Sequence, residues 1–261
     1  VDLLGYLGND PETRVICLYM EGVKNGKKLI DMARKVARKK PILVLKGGFT
    51  EEAAKRAKSH TASVAGRDEI YSAAFKKAGM IRVGDVEELM NAALALSKQP
   101  PMRGDNVAIV SNVGGPAILA ADAVARNSLR LATLSEETKK AIENCYSGVD
   151  ASNPIDMIAD ARADRYGKVL ELVLADENVD GVVVINMLKS TFFEPKDAKI
   201  IPKTAAKHPD KPVVDVPAGG EDFAKVHKVL CKSNIPMYNL PDKAVKAMKV
   251  LRAYGEVIEK H

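Results

Sequence analysis

The chain of 261 residues has no tryptophan, a single glutamine (Gln99) and three widely spaced cysteines, Cys17, Cys145 and Cys231. An odd cysteine count without any Cys-x-x-Cys pair argues against a disulfide framework and against a zinc site, and no other metal-ligand pattern stands out. It points to a reducing, cytoplasmic compartment. Cys17 falls in an apolar run and reads as inert core. No apolar stretch approaches the roughly 20 residues that cross a bilayer, and no secretory leader pattern is present, so no membrane partner is expected. Scarce glutamine beside abundant lysine and glutamate resembles the surface chemistry of thermophiles.

What is present is basic and repetitive. The formal net charge is +6, with an isoelectric point near 9.0. The basic run Arg34-Lys-Val-Ala-Arg-Lys-Lys40 fits the solvated outer face and end of an amphipathic helix, where cations favour the dipole. No aromatic platform or groove-reading motif accompanies it, so nucleic acid is not an expected partner.

Two copies of one α/β pattern run along the chain. Asp10–Tyr19 answers Asp176–Ile185, an acidic turn running into an apolar strand. Lys40-Pro-Ile-Leu-Val-Leu-Lys-Gly-Gly48 answers Lys211-Pro-Val-Val-Asp-Val-Pro-Ala-Gly-Gly220. Matching residues stand 172 apart at Gly48 and Gly220 but 155 apart at Gly79 and Asn234. The first copy therefore holds about 17 extra residues, around Lys58-Ser-His-Thr-Ala-Ser-Val-Ala-Gly66, and His60 lies among them. Functional residues concentrate in loops added to a repeated scaffold.

Hydrophobic periodicity predicts, in the first copy, helices over 1–7, 27–38, 51–58, 68–77 and 86–97, and strands over 14–20, 42–46 and 80–83. A linker with a proline pair follows over 99–105, and the second copy runs from a strand at 106–111 through 261. Domains are thus expected at 1–98 and 106–261. Strands alternating with helices imply an α/β fold, two flavodoxin-like doubly wound parallel sheets. The second copy opens with a strand, a glycine turn and a helix that the first copy lacks. The first is therefore read as N-terminally incomplete, and a chain that starts at Val1 without methionine reads as a fragment or cleaved product.

Ligands gather at the carboxyl ends of parallel strands. Glu21 follows the strand ending at Met20, Gly47-Gly48 follows the next strand, and the His60 loop comes one short helix later. A carboxylate that accepts from one imidazole nitrogen leaves the other free to attack an electrophile. Read from the residues alone, His60 is equally a surface polar residue behind a helix or a nucleophile in a loop with Ser59, Thr61 and Ser63. His208, His227 and His261 lack any such setting and read as solvated. Ser111-Asn-Val-Gly-Gly-Pro-Ala117 is a strand end, a glycine turn and a helix with Pro116 at its first position. Gly114 and Gly115 would let backbone N–H groups approach an anion, and a plain tight turn fits equally well. Ser152-Asn-Pro-Ile-Asp156 offers Asn153 and Asp156 in an Asx-type turn.

Together these strings resemble the ADP-forming acyl-CoA synthetases, relatives of succinyl-CoA synthetase. Ser59-His-Thr-Ala-Ser-Val-Ala-Gly66 is similar to the family's phosphohistidine loop, and Tyr19-Met-Glu-Gly22 to its strand-end glutamate. Ser111–Pro116 resembles the glycine turn before a helix aimed at the phosphohistidine, and Ser152–Asp156 also matches. Four motifs in the family's order span essentially the whole chain, most closely the acetate-type enzymes. The departures are Ala62, where the family often has glycine, and Val113-Gly-Gly-Pro-Ala117, where it often has Ala-Gly-Gly-Pro-Gly.

The resemblance implies acyl-CoA, ADP and phosphate converted to acid, CoA and ATP through a phosphate carried transiently on His60 and supported by Glu21. It implies a phosphate site at Ser111, Asn112, Gly114, Gly115, Pro116 and Ala117, with Ser59, Thr61, Gly66, Asn153 and Asp156 as loop or support residues. CoA, nucleotide and Mg²⁺ would bind mainly to parts outside this chain. These are an upstream CoA-binding domain and an ATP-grasp subunit or domain, in a hetero-oligomer. A histidine-degenerate branch of the family serves as a regulatory module, so a non-catalytic sensing or assembly role is the competing expectation.

Overall fold

The computed structural model describes residues 1–48, 68–188 and 192–260. The expected helix over 51–58 and the residues Ser59, His60, Thr61, Ala62, Ser63, Gly66 and His261 lie outside them. The chain divides into two compact units, Val1–Ser97 with Ala253–His261, and Lys98–Arg252.

In the first unit, helix α1 (Asp2–Asn9) leads to strand β1 (Ile16–Met20), helix α2 (Gly26–Ala37) and strand β2 (Ile42–Lys46). Helix α3 (Asp68–Ala78), strand β3 (Ile81–Val83) and helix α4 (Val86–Lys98) follow. The sheet order is β1-β2-β3, all parallel, with Ile16 opposite Ile42 and Met20 opposite Lys46. Local chemistry explains the helix ends. The Asn25 side chain accepts from Lys28 N at 2.9 Å, capping the start of α2. The Lys40 ammonium donates to the carbonyls of Leu7 and Asp10 at the end of α1, and Arg34 Nε donates to Lys77 O at the end of α3. Two cations of the basic run therefore satisfy helix C-termini, while Lys35, Arg38 and Lys39 face solvent. Leu29, Ala33 and Val36 line the buried stripe of α2, packed with Leu4, Ile16, Ile42, Val44 and Phe75.

The second unit opens with strand β4 (Asn106–Ser111), helix α5 (Gly114–Arg126), strand β5 (Arg130–Leu131), helix α6 (Glu136–Cys145) and strand β6 (Ile155–Asp156). Helix α7 (Ala163–Ala175), strand β7 (Gly181–Met187), helix α8 (Ile200–Ala205), strand β8 (Val213–Ala218), helix α9 (Phe223–Leu230) and helix α10 (Pro241–Glu259) complete it. The residues of α10 from Ala253 onward group with the first unit. The parallel order is β5-β4-β7-β8, with β6 also pairing to β4 and Met237 bridging β8 at Asp215. Each unit is α/β with a parallel sheet, as expected. The repeat is visible in the register, since Ile16 opposite Ile42 corresponds to Val182 opposite Val213. Tyr166 and Phe193 stack in the second core with ring centroids 4.6 Å apart.

Two expectations fail. Cys17 is exposed rather than core, because β1 is an edge strand whose alternate residues face outward. Helix α5 begins at Gly114 with Val113 as N-cap, so Pro116 occupies its third position rather than its first. A proline fits there because the opening N–H groups of a helix have no intrahelical acceptor.

Candidate functional site

The carboxyl end of the first sheet gathers four charged side chains. Glu21 stands one residue beyond β1, and its Oε1 accepts from the Tyr19 hydroxyl at 3.2 Å. Its Oε2 is buried and has no hydrogen-bond partner among the described residues. The bond to Glu21 raises the Tyr19 phenol above its usual range. Gly47 N donates to Met20 O at 3.0 Å, tying β2 to β1 just below the site. A Cβ on Gly47 would approach the Tyr19 hydroxyl oxygen to 2.8 Å, so glycine leaves room for the Tyr19–Glu21 pair. Gly48 takes φ 74°, a conformation glycine adopts without steric cost.

Lys46 ends β2 with only 8% exposure. Its ammonium donates to Gly47 O and lies 4.7 Å from the centroid of the Tyr71 ring. Burial pulls it below the usual lysine range, opposed by the negative charges of Asp68 and Glu21. Asp68 opens α3 and takes a bidentate pair of 2.8 Å bonds from Arg82 on β3. That bonding holds the Asp68 carboxyl below its usual range.

The second sheet ends in amides. The Ser111 hydroxyl donates to Val113 O at 2.9 Å and accepts from Val113 N at 3.1 Å, shaping the turn before α5. The Val113 side chain makes no capping bond. With Val113 N engaged, Pro116 lacking an N–H and Ala117 N at the first intrahelical position, the opening donors without an intrahelical acceptor are Gly114 and Gly115. Both glycines are exposed, and a Cβ built on either would meet nothing within 4 Å. Asn112 is buried. Its Oδ1 accepts from Met187 N at 2.8 Å, and its Nδ2 has no partner among the described residues. On the neighbouring strands Asn186 Nδ2 donates to Asp215 Oδ1 at 2.6 Å, while Asn186 Oδ1 and Asp215 Oδ2 have no partner among the described residues. Complete burial pushes the Asp215 carboxyl up to about 8.

The expected support residues of the second unit have local work. Asn153 Nδ2 donates to Val107 O and Ala132 O at 2.9 and 3.0 Å, while its Oδ1 accepts from Ile109 N at 2.9 Å. It stitches β4 to the chain after β5. Asp156 is exposed, and its Oδ1 accepts from Ile158 N at 2.9 Å, steadying a β-branched residue at φ 64°. Lys46, Asn186 and Asp215 were not singled out from sequence. A lysine ending an apolar strand and an aspartate inside the run Val213–Val216 are the signals that could have found them. Among the described residues no cluster of histidine, cysteine, aspartate or glutamate is placed to hold a metal. None of their helices is long and apolar enough to cross a membrane.

Two parallel sheets with glycine turns at their carboxyl ends match known families. Residues 1–96 match the succinyl-CoA ligase like flavodoxin domain, and residues 107–255 match the Ligase-CoA domain. The chain belongs to the Ligase-CoA family. It is 38% identical over 260 residues to the ADP-forming acetate–CoA ligase I of Archaeoglobus fulgidus, covering 99% of this chain and 37% of that protein. It is 36% identical to the alpha subunit of ADP-forming acetate–CoA ligase II of Pyrococcus furiosus, covering 96% of this chain and 55% of that subunit. A solved acetyl-coenzyme A synthetase 1 of Ca. Korarchaeum cryptofilum, in complex with phosphate and ADP, superposes with a TM-score of 0.90 at 32% identity. That match covers 99% of this chain and 57% of the other. The Ligase-CoA chain thus spans between about a third and just over half of the relatives it matches.

Proposed function

We propose that this chain is the phosphoryl-carrying part of an ADP-forming, acetate-type acyl-CoA synthetase, a cytoplasmic acid–thiol ligase. The observation that carries the reading is Glu21 Oε2, a buried carboxylate oxygen at the tip of β1 without a donor among the described residues, with the other oxygen held by Tyr19. Such an atom is a ready acceptor for one N–H of an imidazole, and His60 is the histidine assigned to it. Inorganic phosphate attacks the thioester carbonyl, the carbon–sulfur bond breaks, and CoA leaves as the thiolate. The free imidazole nitrogen of His60 then attacks phosphorus in the acyl phosphate, and the acid leaves as its carboxylate. A terminal oxygen of ADP finally takes the phosphoryl group as the phosphorus–nitrogen bond breaks, giving ATP. Glu21 stabilises the positive character the ring gains while phosphorylated.

Gly114 N–H and Gly115 N–H open a 13-residue helix, ahead of its first intrahelical donor, and Asn112 Nδ2 beside them has no partner among the described residues. They suit a phosphate or acyl-phosphate oxygen, stabilised by dipoles already in place. CoA, nucleotide and Mg²⁺ belong to an upstream CoA-binding domain and an ATP-grasp partner in a hetero-oligomer.

The test is labelling of the complete enzyme with γ-³²P-ATP and Mg²⁺. Wild type should take up alkali-stable, acid-labile label, and His60→Ala none. Retention of label in His60→Ala overturns the reading, and a wild type that takes up no label favours a sensing or assembly role. Glu21→Gln should lower the labelled fraction about ten- to hundredfold, the worth of a hydrogen bond to a charged group, with an unchanged melting temperature. An unchanged labelled fraction would leave Glu21 a plain strand-end carboxylate.

A further inference from the structure

Asn186 and Asp215 are completely buried on adjacent strands of the second sheet. Their side chains bond to each other, Asn186 Nδ2 donating to Asp215 Oδ1 at 2.6 Å. Neither Asn186 Oδ1 nor Asp215 Oδ2 has a partner among the described residues. Burying two polar groups with so few hydrogen bonds works against stability. The duplicated scaffold shows what the fold itself needs at these places. Matching Ile16 opposite Ile42 to Val182 opposite Val213 puts Met20 where Asn186 stands and Val44 where Asp215 stands. The first sheet is built with an apolar pair there, so the strand register does not require the polar one.

What the pair does hold is the tip of β7. Asn186 is followed by Met187, whose N–H donates to Asn112 Oδ1 at 2.8 Å. That bond takes up the acceptor end of the Asn112 amide and leaves its donor end, Nδ2, turned away from Met187 N. Tyr166 of α7 braces the same junction, since its hydroxyl donates to Ile185 O at 3.1 Å and meets the backbone N–H of Asn112. Ser111 pairs with Ile185, so Asn112 and Asn186 are the next residues out on neighbouring strands. Two residues beyond Asn112, Gly114 opens α5. A line of bonds thus runs from Asp215 through Asn186 and Met187 N to Asn112, at the threshold of that helix.

Resting on the phosphate site proposed above for Asn112 and the start of α5, we propose that Asn186 and Asp215 are positioning residues, which pin the tip of β7 and so aim the Asn112 amide at the bound phosphate. A carboxamide is planar, so holding its Oδ1 also sets the direction of its donor. A donor fixed before the anion arrives needs no ordering at the moment of binding, as preorganised stabilisation requires. Asp215 serves here as a neutral acid, since complete burial pushes its carboxyl up to about 8. A neutral acid accepts at one oxygen and carries a proton on the other, a pattern that an amide reproduces.

The experiment follows acetate formation by the complete enzyme, varying inorganic phosphate, acetyl-CoA and ADP in turn. Its variants are Asn186→Met combined with Asp215→Val (the pair found in the first sheet), Asp215→Asn alone and Asn112→Ala. The double variant should raise KM for phosphate about tenfold, the effect of one hydrogen bond to a charged group. Its KM for acetyl-CoA and for ADP should stay within about twofold of wild type, because only the phosphate contact is disturbed. Its melting temperature should stay level or rise, since a buried polar pair gives way to an apolar one. Asp215→Asn should hold its phosphate KM within about threefold of wild type, as an amide replaces a neutral acid. A wild-type phosphate KM in the double variant overturns the inference. So does an equal rise for all three substrates, or an Asp215→Asn variant as impaired as the double. If the double variant does not fold, Asn186→Ala decides, with a rise confined to phosphate upholding the role and an unchanged KM refuting it. An unchanged phosphate KM in Asn112→Ala removes the phosphate site itself and the positioning role with it. A raised KM there beside a normal double variant removes only the role of Asn186 and Asp215.

Discussion

The two units present the same scaffold in different states of cover. Leu3 on α1 is 77% exposed, whereas its counterpart Val169 on α7 is 0% exposed. Tyr19 on β1 is 65% exposed and its counterpart Ile185 on β7 is 0% exposed. The difference comes from β4 and the elements after it. In the second unit β4 pairs along β7 from Val107 to Ser111, whereas among the described residues β1 has a partner on one side only. The sheet ends differ in a second respect. Where the first unit has Lys46, the second has Pro217; where the second has buried Asp215, the first has Val44. One sheet carries separated charges and the other carries amides beside an acid whose ionisation burial disfavours. A duplicated fold has thus kept its backbone register while its two carboxyl edges took on different electrostatics.

Three experiments probe that comparison. The largest effect expected is on pH. Burial raises Asp215 to about 8, so between roughly pH 5 and 8 the folded second unit holds a proton that the unfolded chain has released. Stability must then fall as pH rises through that window, by up to about 1.4 kcal/mol per unit. Denaturant midpoints measured from pH 5 to 8 should fall for wild type and stay nearly flat for Asp215→Asn. A flat wild-type profile would mean Asp215 is ionised in the fold, and the contrast between the two sheet ends would disappear.

The next effect is on packing. Val169→Ala should cost about 2 kcal/mol, because a buried side chain leaves a void. Leu3→Ala at the matching position should stay within about 0.5 kcal/mol. Equal losses in urea melts would show that Leu3 is covered in solution.

The smallest effect sharpens the likeness instead. Gly48 and Gly220 close matching turns at φ 74° and 51°. Alanine at either should cost about 1–2 kcal/mol, the penalty of a left-handed conformation for a residue with a Cβ. A cost at only one of them would mean that the two turns are not true counterparts.

Much of the fold was legible in the sequence. The strand over 42–46 and the strand over 106–111 lie where apolar runs between turn residues placed them, and the Lys-Pro and Gly-Gly signatures marked corresponding strands in both copies. Helix boundaries moved by one or two residues, as at Gly114, because several first-turn positions accept a proline. Cys17 was misjudged because an edge strand and a central strand carry similar apolar runs, and only strand order tells them apart. Of the candidate site, Glu21 was readable because a carboxylate just past an apolar strand is a local signal. His60 and its loop fall outside the described residues.

The sequence by itself determined the duplication, the parallel α/β class and the turns that end each strand, because these depend on periodicity and on residues within a few positions of one another. Only the tertiary structure decided which charges go without a partner. The absence, among the described residues, of an ion-pair partner for Lys46, of a donor to Glu21 Oε2 and of an acceptor for Asn112 Nδ2, and the upward shift of the Asp215 carboxyl, all depend on burial. Burial is set by strands and helices distant in the chain, and it is desolvation by those neighbours that turns an ordinary polar residue into a poised one.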